Sequence, residues 1–404
     1  MQLISIDEIA KPNRSLAKQA FLHLGFRPFF LLASGFFIIS LSAWMLYYTH
    51  TVTIQFNHIT PSQWHAHEML FGYAFAIVAG FLLTAVKNWT GVQTLHGKPL
   101  LLLVSFWLIA RLIQVFYTEA VILAATFDLS FNLYLACAIA YPIIQAKQWK
   151  QLGILSKIGL LTLGNALFYS AELGWYAQGA FIGNTLALFM MISLILVIGR
   201  RVVPMFIQNG LKLKTPLTQS KPVDIGIMLG LVVLLVNELF LHISLVTMII
   251  SSLLFGLNAF RLIRWHHIGI WTKPLLWSLY LGLWLICLGF LIFALSAISP
   301  KVLPIFAIHL WAIGGIALMT LSMMSRVSLG HTGRDINQPP SSLTYLFCLI
   351  VLGALLRAVA PIFLPQYYLA WVLATYVVCV LGFVLFIFSY SKILIKPRVD
   401  GKFG

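Results

Sequence analysis

Charge is scarce in this sequence. Only 9% of its 404 residues are charged, and just 10 of them are acidic. A soluble domain carries roughly 25% charged residues, so a large water-facing surface is excluded. Cysteine is scarcer still. Cys137, Cys287, Cys348 and Cys379 stand singly inside apolar runs, with no CxxC pair. No disulfide framework follows from that spacing, and single buried cysteines behave as small hydrophobes. The first 27 residues are polar and basic, with no short apolar stretch and small-residue cleavage site behind them. A removable signal peptide is not expected.

Apolar residues make up 61% of the chain, against about 45–50% in ordinary domains. The sequence reads as an all-α polytopic membrane protein, one transmembrane helical domain over 1–404. A span needs about twenty apolar residues. Twelve stretches qualify: 28–48, 64–87, 99–117, 120–145, 153–176, 180–204, 224–240, 242–262, 271–296, 302–325, 342–361 and 367–391. The run from 224 to 262 is too long for one crossing. A tight turn near His242 is therefore expected, although "NELFLHISL" offers no Gly or Pro there.

The net charge of +16 could suggest a nucleic-acid partner, but its placement argues otherwise. Apart from Arg111, Lys301 and Arg357, all 26 basic residues fall in tails and loops on one side of the twelve spans, or at span ends there. Positive-inside bias explains that pattern and makes the side cytoplasmic, with both termini there. The cytoplasmic tails are 1–27 and 392–404, and the longest loop is 205–223. The lipid bilayer is the partner, and no nucleic acid is expected.

With that topology the eleven histidines divide by depth. His50, His58, His65, His67, His242 and His309 lie at the outer side, and His23, His96, His266, His267 and His331 at the inner side. His65 and His67 begin the second span and His309 begins the tenth, so the three can meet at one depth. Ionisable groups inside spans are costly and tend to be functional, which makes this trio a candidate metal site. On a regular helix, however, residues 65 and 67 point about 200° apart. Either they serve two centres, or the first turn is unwound. Glu68 could orient a ligand imidazole through its second nitrogen. Met69, Met319, Met323 and Met324 are weaker candidates for axial ligands, since membrane methionine is usually packing.

Other buried polar groups share the outer half. Arg111, Asp128, Glu172, Glu238 and Arg357 lie within spans, with Asn132, Asn165, Asn184 and Asn237. They form structural Arg–carboxylate pairs, or Arg111 and Arg357 meet the carboxylates of a bound cofactor. At the inner end of the tenth span His331 stands between Gly330 and Gly333, in an expected loop that can bend around a ligand. A straight 22-residue helix would put it about 33 Å from His309. Any site there is a second one, with His96, Arg27, Arg200, Arg201 and Arg334 as possible neighbours.

Five stretches carry a resemblance: "GFRPFF" (25–30), "WHAHEMLFGYAFAIVAGFLLTAVKNWTG" (64–91), "GRRVVPMF" (199–206), "HLWAIGGIALMTLSMMSRVSLGHTGR" (309–334) and "KPRVDGKFG" (396–404). In order and over nearly the whole chain, they resemble the NnrS family. The resemblance implies a bacterial inner-membrane protein of twelve spans that carries haem and copper. It implies a role in nitric oxide metabolism and resistance to nitrosative stress. His65, His67, His309 and His331 match the family's histidine positions and are carried over as ligands. One segment departs: "PLLWSLYLGLWL" (274–285) has Tyr280 where many members have a histidine.

Two functions are thus in view. One is a haem/copper membrane protein that binds or converts nitric oxide, or another small neutral gas. Imidazole ligates both metals, and an apolar site admits a neutral gas while excluding anions. The chain has no c-type haem motif and no soluble electron-input domain, so turnover would need a quinol or a cytoplasmic electron donor. The other is a twelve-span secondary transporter whose buried charges line a substrate path. Against it, "KNWTGVQTLHGK" lacks the loop pattern of a major-facilitator protein, and residues 1–200 and 201–404 show no repeat. Kinship with haem–copper oxidases is only an analogy, because spans six and seven lack their copper-binding histidines.

Overall fold

Backbone polar groups have no water to bond in the hydrocarbon core, so a long apolar chain folds there as helices. The computed structural model describes residues 20–404. Residues 1–19 of the expected tail, with Lys11, Arg14 and Lys18, lie outside the described residues. Twelve helices are long and apolar enough to cross a membrane. They are α1 (Phe26–Tyr48), α2 (Pro61–Thr90), α3 (Gly97–Phe116), α4 (Val121–Gln145), α5 (Trp149–Glu172) and α6 (Gly179–Leu211). The second half has α7 (Lys221–Leu241), α8 (Ser244–Trp265), α9 (Pro274–Ser296), α10 (Pro304–His331), α11 (Ser342–Phe363) and α12 (Pro365–Ile395). No strand occurs among the described residues.

Helices α2, α6, α9 and α10 form the covered centre, and the others pack around them. One end of the bundle carries most of the lysines and arginines; we call it the basic end and its opposite the far end. The expected turn between the seventh and eighth spans is present. His242 takes a left-handed backbone (φ 54°), and Asn237 does what Gly or Pro would otherwise do. Its Oδ1 accepts from the Ile243 amide (3.1 Å), and its Nδ2 donates to Thr247 Oγ1 (2.9 Å). Thr247 in turn donates to Glu238 Oε1 (2.6 Å), which gives that half-buried carboxylate a partner.

Two helices run further than their hydropathy predicts. Helix α6 continues through Pro204 to Leu211, because Val203 and Ile207 keep an apolar face buried. Proline removes the amide that would bond four residues back, and the Arg200 carbonyl accepts from Gln219 Nε2 instead (3.5 Å). The expected loop 205–223 is correspondingly shorter. Helix α10 reaches His331, so this residue ends a helix and does not sit in a loop; the chain turns only at Gly333, with φ 74°.

Helices α2 and α10 share an irregularity that no hydropathy pattern shows. Each begins with Pro at its first turn, runs α-helically to a histidine, then widens to π-helical hydrogen bonding. The π segments are Glu68–Ala74 and Leu310–Ala317, directly after His67 and His309. Such π turns occur mostly within α-helices and often at functional sites. The one in α2 is seated by Gly72, whose carbonyl accepts from Trp107 Nε1 (2.9 Å). A Cβ at Gly72 would collide with the Phe36 ring and come within 3.1 Å of Glu68 Oε2. Gly72→Ala is therefore expected to cost about 1–3 kcal/mol by overpacking. Gly35→Ala, with nothing within 4 Å of the added carbon, should leave the unfolding midpoint unchanged or higher. Equal midpoints for the two variants would contradict the tight seat at Gly72.

Candidate functional site

The start of α2 is fixed by its sequence. Thr60 and Gln63 form a reciprocal capping box (2.8 and 3.2 Å) with Pro61 at the first helical position, the signature of a firm helix N-terminus. Trp64 Nε1 donates to the Gln114 carbonyl (3.2 Å), and Asn184 Nδ2 donates to the Gln63 carbonyl (2.9 Å). The turn that bears His65 and His67 is thereby pinned to α3 and α6.

These two histidines then part, as their spacing predicts. His65 turns towards α1, where its ring stacks on Trp44 (4.6 Å between centroids). Its Nδ1 is buried with no hydrogen-bond partner. Arg357 of α11 acts electrostatically on both His65 and His309, and His65 acts on His309. The His309 Nδ1 bonds the Ile305 carbonyl (2.8 Å), which fixes the proton there and leaves Nε2 with its lone pair. Neither imidazole has a hydrogen bond at Nε2 among the described residues. Arg357 has a buried Nη1 without a partner, and its guanidinium lies over the Tyr368 ring (5.3 Å). His65, His309 and Arg357 thus lie within electrostatic reach of one another, with donor capacity unspent.

His67 goes elsewhere. It stacks on Phe168 (3.8 Å), its Nδ1 meets Glu68 Oε1 (2.8 Å) and its Nε2 meets Asn165 Oδ1 (2.8 Å). With this amide orientation both ring nitrogens donate; with the amide turned over, Asn165 donates to Nε2. Either way both nitrogens are engaged. Arg111 is committed too, its Nη1 to Glu68 Oε1 and Oε2 (2.7 and 2.8 Å) and its Nη2 to Asp128 Oδ2. Tyr169 donates to the same Asp128 oxygen (3.0 Å), and Gln114 Nε2 donates to Glu172 Oε2 (3.0 Å). The structure therefore gathers His67, Glu68 and Arg111 into a polar cluster between α2, α3, α4 and α5, apart from His65 and His309. Of the two sequence expectations for Arg111, internal pairing describes its contacts.

The basic end holds a third locus, where distant motifs converge. Arg27 is fully buried, and its guanidinium donates to the carbonyls of Leu394 (2.8 Å), Lys396 (2.7 Å) and Gly404 (2.6 Å). Phe403 stacks on His23 (4.4 Å) and lies under Lys87 Nζ (4.8 Å). Arg398 donates to the His331 carbonyl (3.0 Å) and pairs with Asp400, holding that carboxyl well below the usual range. The sequence offers Arg27 as an orientation charge and as a neighbour of His331, but not this clamp, since no local pattern ties residue 27 to residues 394–404. His331 brings a further imidazole here, beside those of His23 and His96, which both meet the Phe403 ring, and has cationic Arg398 and Lys87 as electrostatic neighbours. Tyr280, the departure from the family pattern, is buried and donates to the Leu262 carbonyl (3.0 Å).

A metal alone and a haem make different demands. Copper in a protein site takes several protein donors, whereas haem brings four nitrogens and needs only axial ligands. Among the described residues no group of three His, Cys, Asp or Glu side chains could hold a metal ion. The unengaged imidazole nitrogens of His65 and His309 beside Arg357 suit the axial ligation a haem asks for, whereas the donors around His331 do not complete a copper ligand set. No curated protein matches the chain. The family model described as NnrS protein matches residues 20–398, and with nearly its whole length covered the chain belongs to the NnrS family.

Proposed function

We propose that this multi-pass membrane protein binds haem at its far end and binds or converts nitric oxide, protecting a bacterial cell against nitrosative stress. One observation carries the reading: imidazoles from α2 and α10, each beside a π turn, have unengaged nitrogens next to an unpaired arginine. His65 and His309 would hold the iron, and Arg357 would meet a carboxylate of the cofactor. Haem iron, when bound, supplies the affinity for nitric oxide. The protein's part is orientation: Trp44 fixes one ring and the Ile305 carbonyl fixes the other. Positive-inside bias places the basic end in the cytoplasm of an inner-membrane protein, which puts this site towards the outer face. Copper is implied by the family, but the donors around His331 give it no complete ligand set. Electrons for repeated turnover would come from a quinol or a cytoplasmic donor.

The test is the spectrum and metal content of the purified protein. Haem iron is expected, with the reduced spectrum shifting on addition of nitric oxide at low concentration. Cells lacking the protein should grow worse under nitric oxide stress and normally without it. A fully recovered preparation with neither Soret band nor iron would overturn the reading in favour of transport. A binder removes gas once per site, whereas continued removal with a quinol donor marks an enzyme.

A further inference from the structure

The polar cluster of α2–α5 carries more negative side chains than it can balance. Glu68, Asp128 and Glu172 are each no more than 5% exposed, and so are Arg111 and His67. Three carboxylates face one guanidinium and one imidazole. Uncompensated charge at such depth is too costly to persist, and the cheapest compensation is a proton. The geometry says where it goes. Glu68 and Asp128 both bond Arg111, while Glu172 is paired with no cation and meets only the neutral Gln114 amide. Glu172 is also the last residue of α5, at the far end, and the most exposed of the three carboxylates.

We propose that α2–α5 enclose a proton-binding site, with Glu172 as the group that takes and releases the proton. The proton comes from water at the far end and binds a Glu172 carboxylate oxygen. The charge of the site rises by one, and no electron moves. From Glu172 the side chains lead inward. Gln114 Nε2 also lies 3.4 Å from Tyr169 Oη, and Tyr169 donates to Asp128. Glu172 Oε1, Gln114 Oε1 and Asp128 Oδ1 are buried oxygens with no protein partner. One turn along α4, Asn132 is fully buried with neither amide atom bonded. Unpartnered polar atoms of this kind are rare in a folded interior, and here they gather around the three carboxylates. The titratable and charged groups facing Glu172 are His67 and Glu68 from α2, Arg111 from α3, Asp128 from α4 and Tyr169 from its own helix. The exposed His58 ring lies against Gly174, two residues beyond. The proposal uses neither the haem nor the nitric oxide assignment.

Infrared spectra of the full chain in lipid nanodiscs, titrated in water and in D2O, test it directly. The expected result is a protonated-carboxyl C=O band that shifts on deuteration, disappears on raising the pH, is lost in Glu172→Gln and moves in Glu172→Asp. Should Glu172→Gln not fold, Gln114→Leu removes the amide donor but keeps the carboxyl, and the band must then shift in frequency. A band unchanged in Glu172→Gln, unmoved in Gln114→Leu, or absent from the folded parent at every pH overturns the proposal.

Discussion

Replacing His309 with alanine is expected to remove haem from the purified protein. His309 has one nitrogen tied to the Ile305 carbonyl and the other unengaged, so alanine deletes the ligand and leaves nothing nearby to replace it. Disturbing a group that merely supports a ligand costs about 10–100-fold in metal affinity; losing the ligand itself should exceed that. His65→Ala is expected to do the same. His50→Ala and His58→Ala should keep the parent Soret band, because both residues lie in the exposed segment between α1 and α2. His67→Ala is the discriminating variant. It breaks contacts to Glu68 and Asn165, so stability should fall while haem is retained in whatever protein folds. Parent spectra in both His65→Ala and His309→Ala would eliminate the far-end site.

The twelve spans were legible because lipid leaves the backbone few options and apolar length is a direct measure of crossing. Even the turn without Gly or Pro was readable, since 39 residues from 224 to 262 exceed any single crossing. Helix ends were less so. Helix α10 reaches His331 because Ser322, Ser325 and Ser328 face inward and are fully buried. On a hydropathy scale they look like the end of a span. The segregation of His65 from His67 followed from helical geometry alone: the first turn is regular, and the two rings face Trp44 and Phe168 respectively.

What stayed hidden was set by long-range pairing. The π turns depend on Gly72 meeting Trp107 and on Trp311 donating to the Ile286 carbonyl (3.1 Å), contacts between helices that no local pattern encodes. Arg111 and Arg357 look alike in sequence, each a lone cation in an apolar run. Only their neighbours tell them apart: two carboxylates for the first, two histidines and a tyrosine ring for the second.

That difference makes Arg111 the most consequential residue for folding. Arg111→Met should leave little folded protein. Its removal strands Glu68 and Asp128, both essentially unexposed, opposite each other. Breaking a buried pair by deleting one partner typically costs about 3–5 kcal/mol, and this guanidinium serves two carboxylates. A whole domain is stable by only about 5–15 kcal/mol. The cause can be separated from lost packing by a neutral triple variant, Arg111→Met with Glu68→Gln and Asp128→Asn. Replacing a buried ionic group with neutral residues of similar volume is often harmless, so the triple variant should recover much of the folded yield. Arg357→Met supplies the contrast: with no carboxylate to strand, it should fold like the parent and lose haem affinity instead. Folded yield after detergent extraction, denaturant midpoint and haem content distinguish these outcomes. If Arg111→Met folded normally and lost haem, while Arg357→Met kept it, the two arginines would have to exchange roles, and the cofactor would belong with the α2–α5 cluster.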